Sequence, residues 1–86
     1  MELALRIGIT EQSIRGHLSN HPEKITCDAT ICKHENGWAV ALDLIHGANF
    51  YEFTLSSQRA CVRRFATLEA AHKACGFADS VSVVGQ

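Results

Sequence analysis

Three things are scarce in this chain, and each narrows what it can be. No apolar run approaches the roughly 20 residues a membrane-spanning helix needs. The formal net charge is only −1, so no global field gathers nucleic acid or anionic lipid, and any such binding has to come from a local patch. There is also no glycine-rich loop of the phosphate-cradling kind. The first residues, Met1-Glu2-Leu3-Ala4, carry an acid where an export signal wants a positive charge, and Arg6 and Gly8 interrupt the apolar stretch. A cytoplasmic location is the expectation. The four cysteines, Cys27, Cys32, Cys61 and Cys75, then read as free thiols in a reducing compartment rather than as two disulfides.

What is present is a globular composition. Of 86 residues, 47% are hydrophobic and 20% charged, enough for one folded domain over 1–86 and too few residues for two. So short a chain buries a modest core, and self-association would stabilise it.

The middle of the chain is its most legible part. Asn36-Gly37 is a strong hairpin signal. Centring a two-residue turn there sets Glu35 against Trp38, Lys33 against Val40, Ile31 against Leu42 and Ala29 against Leu44. Trp38, Val40, Leu42 and Leu44 then share a face with Ile25, Cys27, Ala29 and Ile31. The other face holds Asp28, Thr30, Cys32, His34, Ala39, Ala41 and Asp43, which are polar or small. Gly47-Ala48-Asn49 reads as the next turn, Phe50 to Leu55 as a third strand with Tyr51, Phe53 and Leu55 on one face, and Ala60 to Phe65 as a fourth.

Toward the end, Thr67 is a good N-cap, Glu69 sits in the first turn, and Gly76 suits the position past a helix C-terminus. Leu68, Ala71, His72 and Cys75 form the predicted inner stripe, and Val81 to Val84 can rejoin the sheet. The fold expected is α+β: an antiparallel sheet of about four to five strands, with a short N-terminal helix and a C-terminal helix-strand unit.

Residues 2–18 admit two readings. Leu3, Leu5, Ile7 and Ile9 alternate as a strand does, with Thr10 capping a helix from Glu11 to about Ser19 that turns Ile14 and Leu18 inward. The same stretch resembles the helix-turn-helix of response-regulator-type activators, with Ala4 at the small position, Gly8 in the turn and Ile14 at the packing position. That resemblance implies that Gln12, Ser13, Arg15 and His17 approach DNA.

Other constellations compete with plainer readings. Cys27, Cys32 and His34, with His21 and His46 nearby, carry zinc-ligand chemistry, but strand alternation points Cys27 away from Cys32 and His34. No cysteine falls at a helix N-terminus, where a thiolate is favoured. No catalytic residue, metal, cofactor or small-molecule substrate is therefore expected. Arg59, Arg63, Arg64 and Lys73 form a basic cluster near the aromatic strand of Tyr51 and Phe53, a combination that can hold single-stranded bases. The plainer reading is of edge charges that block aggregation.

Arg63-Arg64-Phe65-Ala66-Thr67-Leu68-Glu69-Ala70-Ala71, followed by Gly76-Phe77, resembles a strand-to-helix junction in small partition-associated proteins of the ParC type, found on plasmids and integrative elements. Their pattern is a tryptophan-bearing hairpin, an Arg-x-Phe-x-(Ser/Thr)-Leu-(Asp/Glu)-Ala-Ala junction and a final strand. Trp38 and the junction fit it, and the resemblance runs over roughly residues 29–84. It implies a non-enzymatic accessory role in DNA maintenance. The partners expected are a second copy or another protein, with direct nucleic-acid binding as the alternative through Gln12, Ser13, Arg15, Arg59, Arg63 and Arg64. No membrane partner is expected.

Overall fold

The computed structural model describes residues 6–20, 24–56 and 62–85, with 6–8 described by their backbone alone. The chain runs β1 (Arg6–Ile9), α1 (Glu11–Asn20), β2 (Thr26–His34), β3 (Gly37–His46), β4 (Asn49–Leu55), α2 (Leu68–Ala74) and β5 (Ser80–Val84). The strands form one sheet in the order β1-β4-β3-β2-β5. The expected α+β class holds. The expected fourth strand is different: among residues 62–65 there are two isolated antiparallel bridges, Ser56 with Val62 and Trp38 with Phe65. Residues 60 and 61 lie outside the described part.

The central meander is antiparallel, β2 with β3 and β3 with β4. Both outer strands join in parallel, β1 beside β4 and β5 beside β2. Alternation in a sequence reports which side chains share a face and nothing about which way a neighbour runs. The direction is decided by the connections. The segment between β1 and β2 contains α1 and that between β4 and β5 contains α2, and a crossover of this kind returns the chain parallel to where it left.

Faces follow the sequence pattern. Cys27, Ala29 and Ile31 of β2 and Val40, Leu42 and Leu44 of β3 are buried on one side. They share one core cluster with Ile14 of α1, Leu55, Phe65, and Ala71, Ala74 and Cys75 at α2. The opposite face carries Asp28, Thr30, Cys32, Ala41, Asp43, Glu52, Thr54, Ser80 and Ser82. Asp28, Asp43 and Glu52 lie in direct register across three adjacent strands, and Ser80 Oγ donates to Asp28 Oδ1 at 2.8 Å. The described residues thus form two layers, helices over one face of a sheet.

The hairpin register differs from expectation by two residues. The turn is Glu35-Asn36, and Gly37 already belongs to β3, opposite His34. Lys33 faces Trp38, Ile31 faces Val40, and Ala29 faces Leu42. A shift of two leaves every side chain on its own face, so the burial pattern survives it. The physical reason lies elsewhere in the chain. Trp38 N–H donates to Phe65 O (2.9 Å) and Phe65 N–H to Trp38 O (2.8 Å). A Cβ at Gly37 would sit 2.6 Å from Phe65 O. The glycine serves this close backbone approach, one position later than the turn the dipeptide suggested.

Both helices are capped as their sequences suggest. Thr10 Oγ1 accepts Ser13 N–H (3.2 Å) and Thr67 Oγ1 accepts Ala70 N–H (3.1 Å). On α1, Ile14 is fully buried and Leu18 partly so. On α2, Ala71 and Ala74 are buried, with Cys75 at the cap. His72, expected in that stripe, is exposed, because the stripe of so short a helix is set by the sheet beneath it rather than by an ideal period. Gly76 follows the helix without the positive φ expected of it, a conformation found at Gly47 (φ 64°) and Gly85 (φ 82°). Phe77 packs against the core.

Asp79 ties the start of β2 to the start of β5. Its backbone N–H donates to Cys27 O (2.7 Å), and its carboxylate accepts Cys27 N–H (2.8 Å) and Lys24 Nζ (3.0 Å). The Cys27 N–H first, and the lysine next, hold this carboxyl below its ordinary pKa of 3.8.

Candidate anion-binding groove

The described surface has a groove of about 430 Å³ between the two helices, lined by Glu11, Arg15, Arg63, Phe65, Ala70, Lys73 and Ala74. Its construction follows from local rules. The Thr10 cap starts α1 so that Glu11 and Arg15 stand one turn apart on the same side, and Arg15 Nε reaches Glu11 Oε2 at 3.0 Å. The Arg15 guanidinium also lies 5.1 Å from the centroid of the Phe77 ring. Arg63, just before Phe65, stacks its guanidinium 4.6 Å from that ring's centroid. The small side chains Ala70 and Ala74 leave room beside α2, and Lys73 stands at the rim.

Three cationic side chains from three separate segments therefore meet one groove, with Glu11 as the acid among its lining residues. The exposed Glu11–Arg15 pair contributes little to stability, as such pairs do. Its effect is to hold Arg15 in place. A guanidinium stacked on an aromatic face keeps its N–H fork directed outward, the geometry that takes a carboxylate or phosphate through two bonds. The chemistry on offer is binding of an anionic group.

Of the residues singled out in the sequence, Arg15 and Arg63 come together here. Gln12 and Ser13 are exposed on α1 but do not line the groove, and the Ser13 N–H is occupied by the cap. Arg64 is exposed outside the groove, on the side of Gly37. Arg59 lies outside the described residues. Residues 6–9 form a strand ahead of α1, so the stretch read as two DNA-reading helices is strand and helix there. Glu11 was not singled out, and Arg15 and Arg63 were assigned to different patches. No local signal joins them, since only the tertiary fold makes them neighbours.

The aromatic strand belongs to another place. Tyr51 and Phe53 stack at 6.5 Å and 30°. They line a separate cavity of about 310 Å³ with His17, Ile25, Leu44 and His46. Of the single-strand platform expected from Tyr51, Phe53 and the arginines, Arg63 therefore lines a different site from the two aromatics.

Cys27 and Cys75 are buried in the core cluster. Burial first, then Asp79, Asp28, Cys75 and Asp43, pushes the Cys27 thiol up to about 12. Burial also raises Cys75, whose Sγ contacts Ala71 O at 3.2 Å. Neither is poised as a thiolate nucleophile. Cys27 is inside and Cys32 on the opposite face, and among the described residues no three histidine, cysteine or acidic side chains are grouped to hold a metal. No described helix is long and apolar enough to cross a membrane. No family model matches the chain, and neither the curated proteins nor the solved structures include a match to it.

Proposed function

We propose that this chain is a non-enzymatic accessory protein, working in the cytoplasm, that binds an acidic segment of a protein partner in the groove between α1 and α2. The observation that carries the reading is the convergence of Arg15, Arg63 and Lys73 on one groove. The net charge of −1 favours a protein over a polynucleotide, because no wider basic field surrounds the three cations. The link to plasmid or mobile-element maintenance rests on the junction from Arg63 to Ala71 and on Trp38.

A second reading is direct nucleic-acid binding through the same groove. It is favoured by the two guanidinium groups, whose fork fits phosphate as well as carboxylate. The two readings separate by titration. A labelled glutamate-rich peptide and labelled single- and double-stranded oligonucleotides are each titrated with the chain at several salt concentrations, reading fluorescence anisotropy. The leading reading expects the peptide to bind and Arg63→Ala with Lys73→Ala to abolish it. The second expects oligonucleotide binding with a log–log salt slope of about −2 to −3, three phosphate contacts at most. No binding of either probe, or binding indifferent to both substitutions, overturns the groove as the working surface.

A further inference from the structure

We infer that the outer edge of β5 is a self-pairing edge, at which a second copy of this chain adds antiparallel to β5 in a register centred on Ser82. Such a pair joins two five-stranded sheets into one continuous sheet.

β5 ends the sheet order, and among the described residues its outer side pairs with no strand. The usual guards of an exposed edge are lysine, proline, a bulge or an inward charge. The segment Ser80-Val81-Ser82-Val83-Val84 has none of them. It is three valines and two serines, a composition that suits pleated, half-buried backbone.

The hydrogen-bonding direction selects the register. Asp79 N–H donates toward β2, to Cys27 O at 2.7 Å. Cys27 turns both its N–H and its C=O to Asp79, so the backbone groups of Ala29 and Ile31 face β5 as well. In a parallel ladder such residues bond the neighbours of their register partners, so Ser80, Ser82 and Val84 bond β2 while Val81 and Val83 turn their backbone groups outward. An antiparallel pairing centred on Ser82 sets Ser82 against Ser82 of the second copy and Ser80 against Val84. It also sets Val81 against Val83 of the second copy, both outward-facing positions, and each of these two pairs exchanges two bonds, about four in total. A register shifted by one residue would set outward-facing groups against inward-facing ones.

Side chains agree with the same register. On the core side Val81 meets Val83 of the second copy, and both are only partly buried within one chain. On the open side the exposed Val84, at 52%, lies beside Ser80 of the second copy. Asp79 falls opposite Gly85, so no two like charges meet. One strand edge is a small interface, which implies a dimer that forms in the micromolar range rather than an obligate one. This surface is apart from the groove and does not depend on what the groove binds.

The test is sedimentation velocity of the full chain over a wide concentration range. The wild-type chain is expected to pass from monomer to dimer. Val81→Pro removes only an outward-facing N–H, so it is expected to leave the far-ultraviolet circular dichroism in place and to weaken the dimer about tenfold or more. Ser82→Lys and Ser82→Glu are each expected to be monomers, because the axis sets the new charge against itself. Mixing the two is expected to restore a dimer, now mixed, which a merely structural role for Ser82 would not produce. A wild-type chain that stays monomeric at its highest concentration overturns the inference. So does a dimer that persists in the folded lysine and glutamate variants, or a failure of their mixture to pair.

Discussion

The two faces of the sheet are made by the same strands, often by adjacent residues, and they live under opposite rules. On the helix side, Cys27, Ala29, Ile31, Val40 and Leu42 are essentially inaccessible, so each methylene there has neighbours on every side. On the open side, Asp28, Thr30, Ala41 and Asp43 are only partly buried. The difference teaches that strand propensity is shared by the two faces, whereas volume is constrained on one only. Threonine and aspartate sit in the central strands here because only their backbone has to fit.

The largest expected effect lies on the helix side. Leu42→Ala removes a fully buried side chain from β3, flanked by strands on both sides. Urea denaturation should show a loss of about 2–5 kcal/mol. A loss below about 1 kcal/mol would mean that this face is far less well packed than the buried positions indicate.

Gly37→Ala is the next largest. Its position in β3 has the parity of the open face, yet the residue is buried. The added methyl would meet Phe65 O at 2.6 Å, with an expected cost of about 1–3 kcal/mol in the same assay. Tolerance comparable to other open-face positions would show that the Phe65 bridge yields, and the contrast between the faces would then extend to this end of the hairpin.

Acid comes third. Asp79 is an ionised clamp between the strand starts, and its folded pKa is depressed. Its contribution is therefore complete above its unfolded pKa of about 3.8 and fades as pH falls through the lower folded value. Thermal melts should fall below about pH 4 in the wild type, and Asp79→Asn should be less stable at neutral pH and lose less on acidification. Equal acid sensitivity in the two proteins would remove this carboxylate from the account.

The smallest effect belongs to the open face itself. Thr30→Val keeps the β-branched shape and changes only polarity. It should shift stability by no more than about 0.5 kcal/mol. A loss of the size expected for Leu42→Ala would mean that the open face is covered, and the two-layer description would need a third layer.

Much of this contrast was legible beforehand. The alternation from Ile25 to Leu44 named both faces correctly, and Thr10, Thr67 and Ile14 located the helices and the inward side of α1. Those features depend on neighbours within a few residues, where propensity, capping and period act directly. The hairpin partners were misplaced by two because glycine has two uses. The sequence shows that Gly37 is free of a Cβ, but not that Phe65 needs the space. The groove was legible only as scattered arginines, since Arg15 and Arg63 sit on different segments with no local pattern to join them.

By itself, then, the chain determined an α+β class, its strand faces, its helix caps and a core of Ile14, Ile31, Val40 and Leu42. These follow from burial patterns with periods of two and 3.6. Only the tertiary structure decided that the outer strands run parallel to their neighbours, that Gly37 belongs to the strand, and that Arg15, Arg63 and Lys73 share a groove. Each of those depends on contacts between distant segments, whose energies are not written in any one of them. The same holds for β5: its serines and valines were plain from the start, but that its outer edge pairs with no strand among the described residues follows only from β2 taking the other side.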